Sequence, residues 1–380
     1  RDGAFGLVGS EMCIRDRNNR VAAMARYADI TGWGKCMPPA VLTNHDLETV
    51  LDTSDEWIRS RSGIAERRVS HVASSTLASV AVQRALAAAD TDPEEVDLLI
   101  MATTTPDNII PATGCYVQRE AGTKNAAVFD LNAGCSGFVY SMQVANALVR
   151  AGQYRKAVIV GSERITWLFN FSNRDTAVLF GDGAGAVVLE PSDDECGLIA
   201  SHLGCEGNAL GALEVPNTGT SGDRFVENYG HHDINFDGRE IFKRAVKGMA
   251  REVKKVLGEV GMSNDDIDLM IPHQANERII ESLAHFLRMP MEQVVLNIQK
   301  YGNTSAATIP VALCESLEQG RIKPGDNILL AAFGAGLTRA AGLIKWGKRT
   351  TPLAQSDAEL PPCDQTALEI LSDAIKHTQV

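Results

Sequence analysis

The sequence lacks any hydrophobic run that approaches the roughly 20 residues of a membrane-spanning helix, so we expect no membrane anchor. It also lacks an excess of positive charge, because 36 Lys and Arg stand against 48 Asp and Glu, a net charge of −12. A chain this acidic is, as a whole, a poor partner for nucleic acid. The 44% hydrophobic and 22% charged residues are ordinary for a globular protein and exclude disordered, collagen-like and coiled-coil chains.

Paired cysteines are also absent. None of the eight cysteines forms a Cys-x-x-Cys pair, which argues against a zinc ribbon or a thioredoxin-type site, and we expect no metal. Eight cysteines in 380 residues do not make a disulfide framework, so we expect a reducing, cytoplasmic compartment. The cysteines are Cys13, Cys36, Cys115, Cys135, Cys196, Cys205, Cys314 and Cys363.

The two ends differ from the rest of the chain. Residues 1–23 show neither helical nor strand periodicity, and Met24 is a natural start, so we expect 1–23 to be a non-native or disordered leader. Residues 349–380 are rich in proline and acidic residues before a short helical pattern, which predicts a peripheral tail.

Between these ends, short apolar runs alternate with helical patterns, which is typical of parallel βαβ layers. The predicted strands are Leu98–Ala102, Ala127–Leu131, Ala157–Gly161, Ala177–Phe180, Ala186–Leu189, Leu269–Ile271, Val294–Ile298 and Ile328–Ala332. The predicted helices are Thr76–Ala89, Gly137–Ala151, Arg239–Val260, Ala275–Phe286 and Ala306–Gln319.

The sequence contains an internal repeat. Residues 133–137 match 301–305, and Ala151-Gly matches Gln319-Gly, both at an offset of 168 residues. Matches in the same order at a constant spacing indicate a duplication. We therefore predict two related α/β halves, at 24–196 and 197–348.

Three residues at predicted strand ends suggest nucleophilic catalysis. Cys135 follows the strand 127–131 and precedes a helix, whose N-terminus favours a thiolate. His273 follows the strand 269–271, and Asn303 occupies the position in the second half that Cys135 has in the first. Alone, each residue could be a packing cysteine, a core histidine or a helix-capping asparagine. Together at one edge of a duplicated sheet, they predict a single catalytic cleft.

Two glycine-rich stretches complete the pattern. Phe333-Gly-Ala-Gly follows a strand and can aim backbone N–H groups at an oxyanion. Phe180-Gly-Asp-Gly-Ala-Gly lacks the Lys-Ser/Thr of a phosphate loop and precedes a strand, so we interpret it as a closely packed turn.

These motifs resemble the β-ketoacyl-acyl-carrier-protein synthase III family. Asn132-Ala-Gly-Cys-Ser-Gly-Phe, Ile271-Pro-His-Gln-Ala-Asn, Tyr301-Gly-Asn-Thr-Ser-Ala-Ala and both glycine-rich stretches carry the resemblance, with Thr53-Ser-Asp-Glu-Trp-Ile-Arg at the N-terminal motif. It extends from about Ala28 to Trp346. It implies a thiolase-like α/β fold of duplicated βαβαβαββ halves in five αβαβα layers, and a homodimer.

The resemblance implies an acyltransferase of fatty acid biosynthesis. Cys135 would accept an acyl group from acyl-CoA, and His273 and Asn303 would stabilise the enolate formed when malonyl-acyl-carrier protein loses CO2. The N–H groups of Cys135 and Ala335 would form the oxyanion hole. This Claisen condensation needs no metal or redox cofactor.

The resemblance also places the binding residues. The family's CoA and pantetheine contacts fall on Trp57, Arg61, Arg174 and Asn276. The acidic carrier protein calls for a basic patch, which one helix and its surroundings supply. The expected docking residues are Lys243, Arg244, Lys247, Arg251 and Arg278.

The chain departs from the family pattern at the acyl-pocket gate. Ile110 stands where an aromatic gate, contributed across the dimer interface, restricts the family to short primers. We therefore keep open a related condensing enzyme of secondary metabolism or fatty-acid salvage that uses a medium-chain primer. Head-to-head condensing enzymes and type III polyketide synthases share Cys, His and Asn, and the extender substrate would separate them. A non-catalytic partner on this fold would usually lack the nucleophile.

Overall fold

The computed structural model describes residues 26–216, 218–222 and 234–378; the expected leader, 1–23, lies outside them. The elements up to residue 192 are β1 (Tyr27–Cys36), β2 (Ala40–Thr43), α1 (Asn44–Glu48), α2 (Asp55–Ser62), β3 (Glu66–Val69), α3 (Ser74–Ala89), β4 (Leu98–Ala102), α4 (Thr113–Ala121), β5 (Ala127–Leu131), α5 (Gly137–Arg150), β6 (Ala157–Glu163), α6 (Arg174–Ala177) and β7 (Gly183–Ser192). The remaining elements are β8 (Gly197–Cys205), β9 (Leu213–Glu214), β10 (Asn235–Phe236), α7 (Gly238–Val260), β11 (Leu269–Pro272), α8 (Glu277–Leu287), α9 (Ile298–Tyr301), α10 (Thr308–Glu318), β12 (Asn327–Gly334), β13 (Thr338–Lys345), α11 (Ala367–Ile370) and α12 (Ser372–Thr378).

Nine strands form a continuous sheet in the order β11-β12-β13-β8-β1-β7-β6-β4-β5, and one residue pair, Ala28 with Gly197, joins its two halves. When the strands of each half are numbered in chain order, the strand order of the first half, from the outer edge of the sheet inward, is 3-2-4-5-1. The second half reads 2-4-5-1, and Val294 bridges Met270 of β11 where a third strand would lie. The repeat seen in the sequence is therefore a repeat of strand order, and the duplicated fold is confirmed. The boundary at residue 196 stays a prediction.

Because their side chains alternate between two faces, the strands separate the molecule into five layers. Leu98 and Ile100 of β4 join a central core around α5 and α10, while Leu99 and Met101 join an outer core under α3 and α4. Because successive side chains point to opposite faces, a fully buried parallel strand must be apolar on both faces. β12 behaves in the same way between the central core and an outer core under α7 and α8. The layers are thus αβαβα.

Two predicted strands are wrong. In Ala177–Phe180, the first residue ends helix α6, which Asn173 caps. In Val294–Ile298, the Gln274 side-chain amide donates to Val295 O and accepts from Asn297 N, so it occupies backbone groups that a strand would pair. The chain then turns into α9.

Strand β1 was missed because its two glycines weaken the pattern. A Cβ at Gly32 would lie 2.3 Å from the Ala85 carbonyl oxygen, and one at Gly34 would lie 2.4 Å from the Ala81 oxygen. These glycines let β1 pack directly against the backbone of α3, a tertiary requirement that the strand pattern does not show.

The expected peripheral tail is packed against the first half. Backbone N–H groups of Leu353 and Ala354 donate to the carbonyl oxygens of Ala88 and Ala87, which ties the tail to the last turn of α3. Farther along, buried side chains of α11 and α12 join the core around β2 and β3. None of the helices in the described part of the chain is long and apolar enough to cross a membrane.

Candidate active site

The structure brings Cys135, His273 and Asn303 to one cavity of about 950 Å³. Cys135 lies in the turn between β5 and α5, His273 directly follows β11, and Asn303 lies between α9 and α10. Cys135 also lines a second cavity of about 790 Å³. The cysteine therefore stands where two cavities meet.

The Cys135 side chain is buried, and burial raises the pKa of its thiol to about 11. The negative charge of Glu163 raises this pKa further, whereas the Ser305 hydroxyl, which contacts the Cys135 side chain, lowers it. The expectation that the helix N-terminus would favour a thiolate in the resting protein is therefore wrong. At neutral pH the group is a thiol.

The glycine-rich turn after β12 packs backbone to backbone against the cysteine turn. A Cβ at Gly334 would lie 2.4 Å from Cys135 N, and one at Gly134, whose φ is +58°, would lie 2.7 Å from Ala335 N. Glycine at both positions therefore permits the approach. It brings the Cys135 and Ala335 turns together, as an oxyanion hole formed by their N–H groups would require.

His273 is buried, and its Nδ1 lies 2.7 Å from the Thr308 hydroxyl oxygen. Burial lowers the pKa of the imidazole to about 3, so it is neutral at physiological pH. Its backbone N–H donates to Ala331 O in β12, which fixes the turn that carries it. The site therefore contains a neutral histidine beside a neutral thiol.

Asn303 is held on both sides. Its backbone exchanges hydrogen bonds with Leu179 and Gly181, and its side-chain Oδ1 accepts from the Ser305 N–H at 2.8 Å. Because an N–H can only donate, this contact identifies the amide oxygen. The amide NH2 group remains as a donor in the cavity that Asn303 lines.

The predicted CoA residues gather around Trp57 at the same cavity. The Arg174 guanidinium lies 5.0 Å from the Trp57 ring centre, and that of Arg61 lies 5.5 Å away. Asn276 donates to the Arg61 carbonyl oxygen at 2.9 Å. Trp57, Arg61 and Asn276 line the cavity, whereas Arg174 lies beside it and donates to Asp52 O.

The second cavity is largely apolar, with Ile165, Leu168 and Phe169 among its lining residues. Ile109 reaches its edge, but Ile110 does not line it and is 86% exposed. Ile110 therefore does not gate the cavity of its own chain. Its predicted role, which needs a second copy, stays a prediction.

The predicted docking residues divide into two groups. Arg244 and Arg251 both form ion pairs with Glu206. Lys243, Lys247 and Arg278 form no ion pair within residues 26–216, 218–222 and 234–378. Lys243, Lys247 and Arg278 are thus the predicted docking residues that remain available to an acidic partner.

Three residues of the site were missed from the sequence: Glu163, Ser305 and Thr308. Glu163 ends the buried strand β6, so the position that singled out Cys135 and His273 could have indicated it too. Ser305 and Thr308 stand within five residues of Asn303, but their contacts with Glu163 and His273 depend on the fold.

Comparison with known proteins identifies the relatives of this chain. Family models described as 3-oxoacyl-[acyl-carrier-protein (ACP)] synthase III match residues 129–207 and, for the C-terminal part, 257–346. A β-ketoacyl-[acyl-carrier-protein] synthase III 2 of Vibrio cholerae is 54% identical over 351 residues, 92% of this chain and 97% of the relative. The 3-oxoacyl-[acyl-carrier-protein] synthase III of Aquifex aeolicus superposes with a TM-score of 0.79 at 42% identity, covering 84% of this chain and 100% of that one. The priming β-ketosynthase of the R1128 polyketide pathway has a TM-score of 0.81 at 32% identity, covering 86% and 98%.

Proposed function

The chain belongs to the β-ketoacyl-acyl-carrier-protein synthase III family, and we propose that it condenses an acyl-CoA primer with malonyl-acyl-carrier protein to initiate fatty acid synthesis. The enzyme is an acyltransferase. The observation that carries the proposal is the position of Cys135 between two cavities, one shared with His273 and Asn303 and the other largely apolar.

The first half-reaction loads the primer. The Cys135 sulfur bonds to the acyl carbon, the bond to the CoA sulfur breaks, and the thiol proton ends on the released CoA. The N–H groups of Cys135 and Ala335 hold the oxyanion while the carbon is tetrahedral. The acyl chain then occupies the apolar cavity, and Trp57 with its two flanking arginines holds the CoA nucleotide.

The second half-reaction forms the enolate. The malonyl C–C bond breaks and CO2 leaves. The electron pair of the broken bond moves toward the thioester oxygen, to which His273 and Asn303 donate hydrogen bonds. A neutral histidine can donate from Nε2 only if Nδ1 is bare. The Thr308 hydroxyl lies 2.7 Å from Nδ1 and 3.1 Å from the Ser305 carbonyl oxygen, and it selects that tautomer when its one proton is donated to the nearer acceptor, Nδ1.

The enolate carbon then attacks the acyl carbon, the bond to Cys135 breaks, and the sulfur leaves as a thiolate that takes up one proton. The product is a 3-oxoacyl thioester two carbons longer. No step above consumes a redox equivalent.

Two partners follow from the surfaces. Lys243, Lys247 and Arg278 supply cations for the acidic carrier protein. Ile109 and Ile110 are 81% and 86% exposed, and burying such a pair against a second copy supports a homodimer.

A medium-chain primer is the second candidate. The largely apolar cavity and the aliphatic Ile110 support it, and the R1128 relative shows that this fold also serves a priming ketosynthase in a polyketide pathway. This alternative changes the primer and the pathway, but keeps the same three site residues.

The test is acyl loading read by intact mass. The protein is incubated with acyl-CoAs from C2 to C14, and the wild type should gain one acyl group. Cys135→Ala should gain none, whereas Cys115→Ala, which changes an exposed cysteine, should load normally. Loading on Cys135→Ala, or no loading of the wild type by any primer, would contradict the proposal.

A further inference from the structure

Ser305 lies among the three proposed catalytic residues. Its N–H donates to Asn303 Oδ1 at 2.8 Å, and its carbonyl oxygen lies 3.1 Å from the Thr308 hydroxyl, which contacts His273. Its side-chain oxygen lies 3.0 Å from Glu163 Oε1, and Ser305 lines the same largely apolar cavity as Cys135, the pKa of whose thiol it lowers. Ser305 is 1% exposed.

The backbone of Ser305 is held in a conformation that serine seldom adopts. Its φ is +50°, in the left-handed region, which costs about 1 kcal/mol or more for a residue other than glycine. A glycine would remove this cost but would also remove the hydroxyl. The presence of serine at such a position points to a role for the side chain.

The Ser305 hydroxyl has one proton and two neighbouring acceptors, Glu163 and the Cys135 sulfur. The Glu163 carboxylate does not depend on that proton, because five donors of the Thr103–Thr105 segment already face its oxygens. These are Thr103 Oγ1, Thr104 N, Thr104 Oγ1, Thr105 N and Thr105 Oγ1. A carboxylate has about four lone-pair sites, so the Ser305 proton can turn to the sulfur without leaving Glu163 unsatisfied.

The sulfur needs such a donor at two points of the proposed reaction. Negative charge develops on it when the thiol loses its proton during loading, and again when the bond to the acyl carbon breaks. The surrounding burial disfavours both states, and Glu163 repels them. The Ser305 hydroxyl, which lines the same cavity as Cys135, is a neutral donor that can turn to the sulfur.

We propose that the Ser305 hydroxyl donates a hydrogen bond to the Cys135 sulfur whenever that sulfur carries negative charge, and that Glu163 holds the hydroxyl in place between those steps. Ser305 is then a further catalytic residue, and Glu163 is a positioning residue that acts through it. The inference rests on the proposed role of Cys135 as the nucleophile.

The test is the rate at which iodoacetamide alkylates Cys135, followed on its own peptide by mass spectrometry because Cys115 and Cys205 are exposed. Ser305→Ala and Ser305→Gly both remove the hydroxyl, and the glycine variant also accommodates the positive φ. A lost hydrogen bond to the thiolate lowers the thiolate fraction about tenfold or more. Because thiolate nucleophilicity rises with pKa at a slope of about 0.4–0.5, the net alkylation rate should fall about three- to fourfold or more.

This decrease should be the same at each pH between 7 and 9, in both variants. Ser316→Ala is the matched control, because Ser316 is equally buried but its hydroxyl bonds only within its own helix, to Ala312 O. The control should alkylate as the wild type does. An unchanged or faster rate in the alanine and glycine variants would overturn the proposal, as would a decrease confined to alanine, which would report backbone strain instead.

Decarboxylation of malonyl-acyl-carrier protein without primer supplies the second readout. The Ser305 N–H that holds Asn303 survives in both variants, so CO2 release should fall by less than the alkylation rate does. A parallel loss of CO2 release and alkylation would indicate a general structural defect and contradict the assignment. Failure of the wild type to take up any acyl group would refute the proposed function alone, because alkylation tests the Ser305–Cys135 contact without it.

Discussion

Replacement of Thr308 by valine tests how the fold selects the tautomer of His273. Valine keeps nearly the same shape but removes the hydroxyl that lies 2.7 Å from Nδ1. His273 is buried and its pKa is lowered to about 3, so at pH 7 only about one molecule in 10⁴ carries an imidazolium. Its ability to donate from Nε2 therefore depends on which nitrogen of the neutral ring holds the proton.

In the valine variant, Nδ1 has no hydrogen-bond partner whether or not it carries the proton, so the preference for a bare Nδ1 that donation from the Thr308 hydroxyl provides, about 0.5–1.5 kcal/mol, is lost. The fraction of the ring that can donate from Nε2 then falls about 2- to 13-fold. We expect CO2 release from malonyl-acyl-carrier protein to fall by a factor in that range. Acyl loading of Cys135, in which His273 has no proposed donor role, should change less than about threefold.

Both rates are measured on one preparation, CO2 release by trapping labelled gas and loading by intact mass. Thr308→Ser is the matched control because it retains the hydroxyl, and it should keep most of the decarboxylation rate. The tautomer argument would be refuted if the valine variant decarboxylated within about twofold of the wild type, or if loading fell in parallel with decarboxylation.

Three further predictions follow from the site. Because the pKa of His273 is lower in the folded protein than its ordinary value of 6.5, unfolding takes up a proton at acid pH; stability should fall as pH drops below 6.5 toward 3, by up to about 1.4 kcal/mol per pH unit. Urea unfolding at pH 6 and pH 4 checks this, and His273→Gln should show a correspondingly smaller decrease. Lys247→Glu should raise the KM for the carrier protein several-fold in a salt-dependent manner, without changing the KM for acyl-CoA; the same effect on both substrates would contradict a carrier surface. Ile110→Phe should shift the preferred primer in the loading assay toward shorter chains, and an unchanged chain-length profile would remove Ile110 from the acyl pocket.

The sequence predicted the site where position in the sheet determines it. Cys135, His273 and Asn303 each lie in the connection after a strand or its counterpart in the repeat, and strands of one sheet place such connections at a common edge. That rule needs only strand boundaries and a repeat. Both could be read from the apolar runs and the constant offset of 168 residues.

What could not be predicted depends on contacts between distant segments. The positive face of α7 can be predicted from the sequence. Which of its cations form ion pairs cannot, because Glu206 lies 38 residues before Arg244 and 45 before Arg251. The pKa of Cys135 was predicted in the wrong direction for the same reason. The helix N-terminus is a local feature, whereas the burial that dominates the pKa comes from residues throughout the chain.

The corrected protonation states make better chemical sense than the predicted thiolate. A thiol and an imidazole that are both neutral allow an uncharged acyl thioester to enter and stay, and burial keeps water from hydrolysing it. Negative charge is then transient, and each group that carries it has a proposed neutral donor. Ser305 donates to the sulfur, the backbone turns donate to the oxyanion, and His273 and Asn303 donate to the enolate. Burial that would be a cost for a permanently ionised site strengthens hydrogen bonds to charge that is transient. The same burial that raises the pKa of Cys135 is thus compatible with catalysis, provided that a hydrogen-bond donor is positioned at every atom where charge develops.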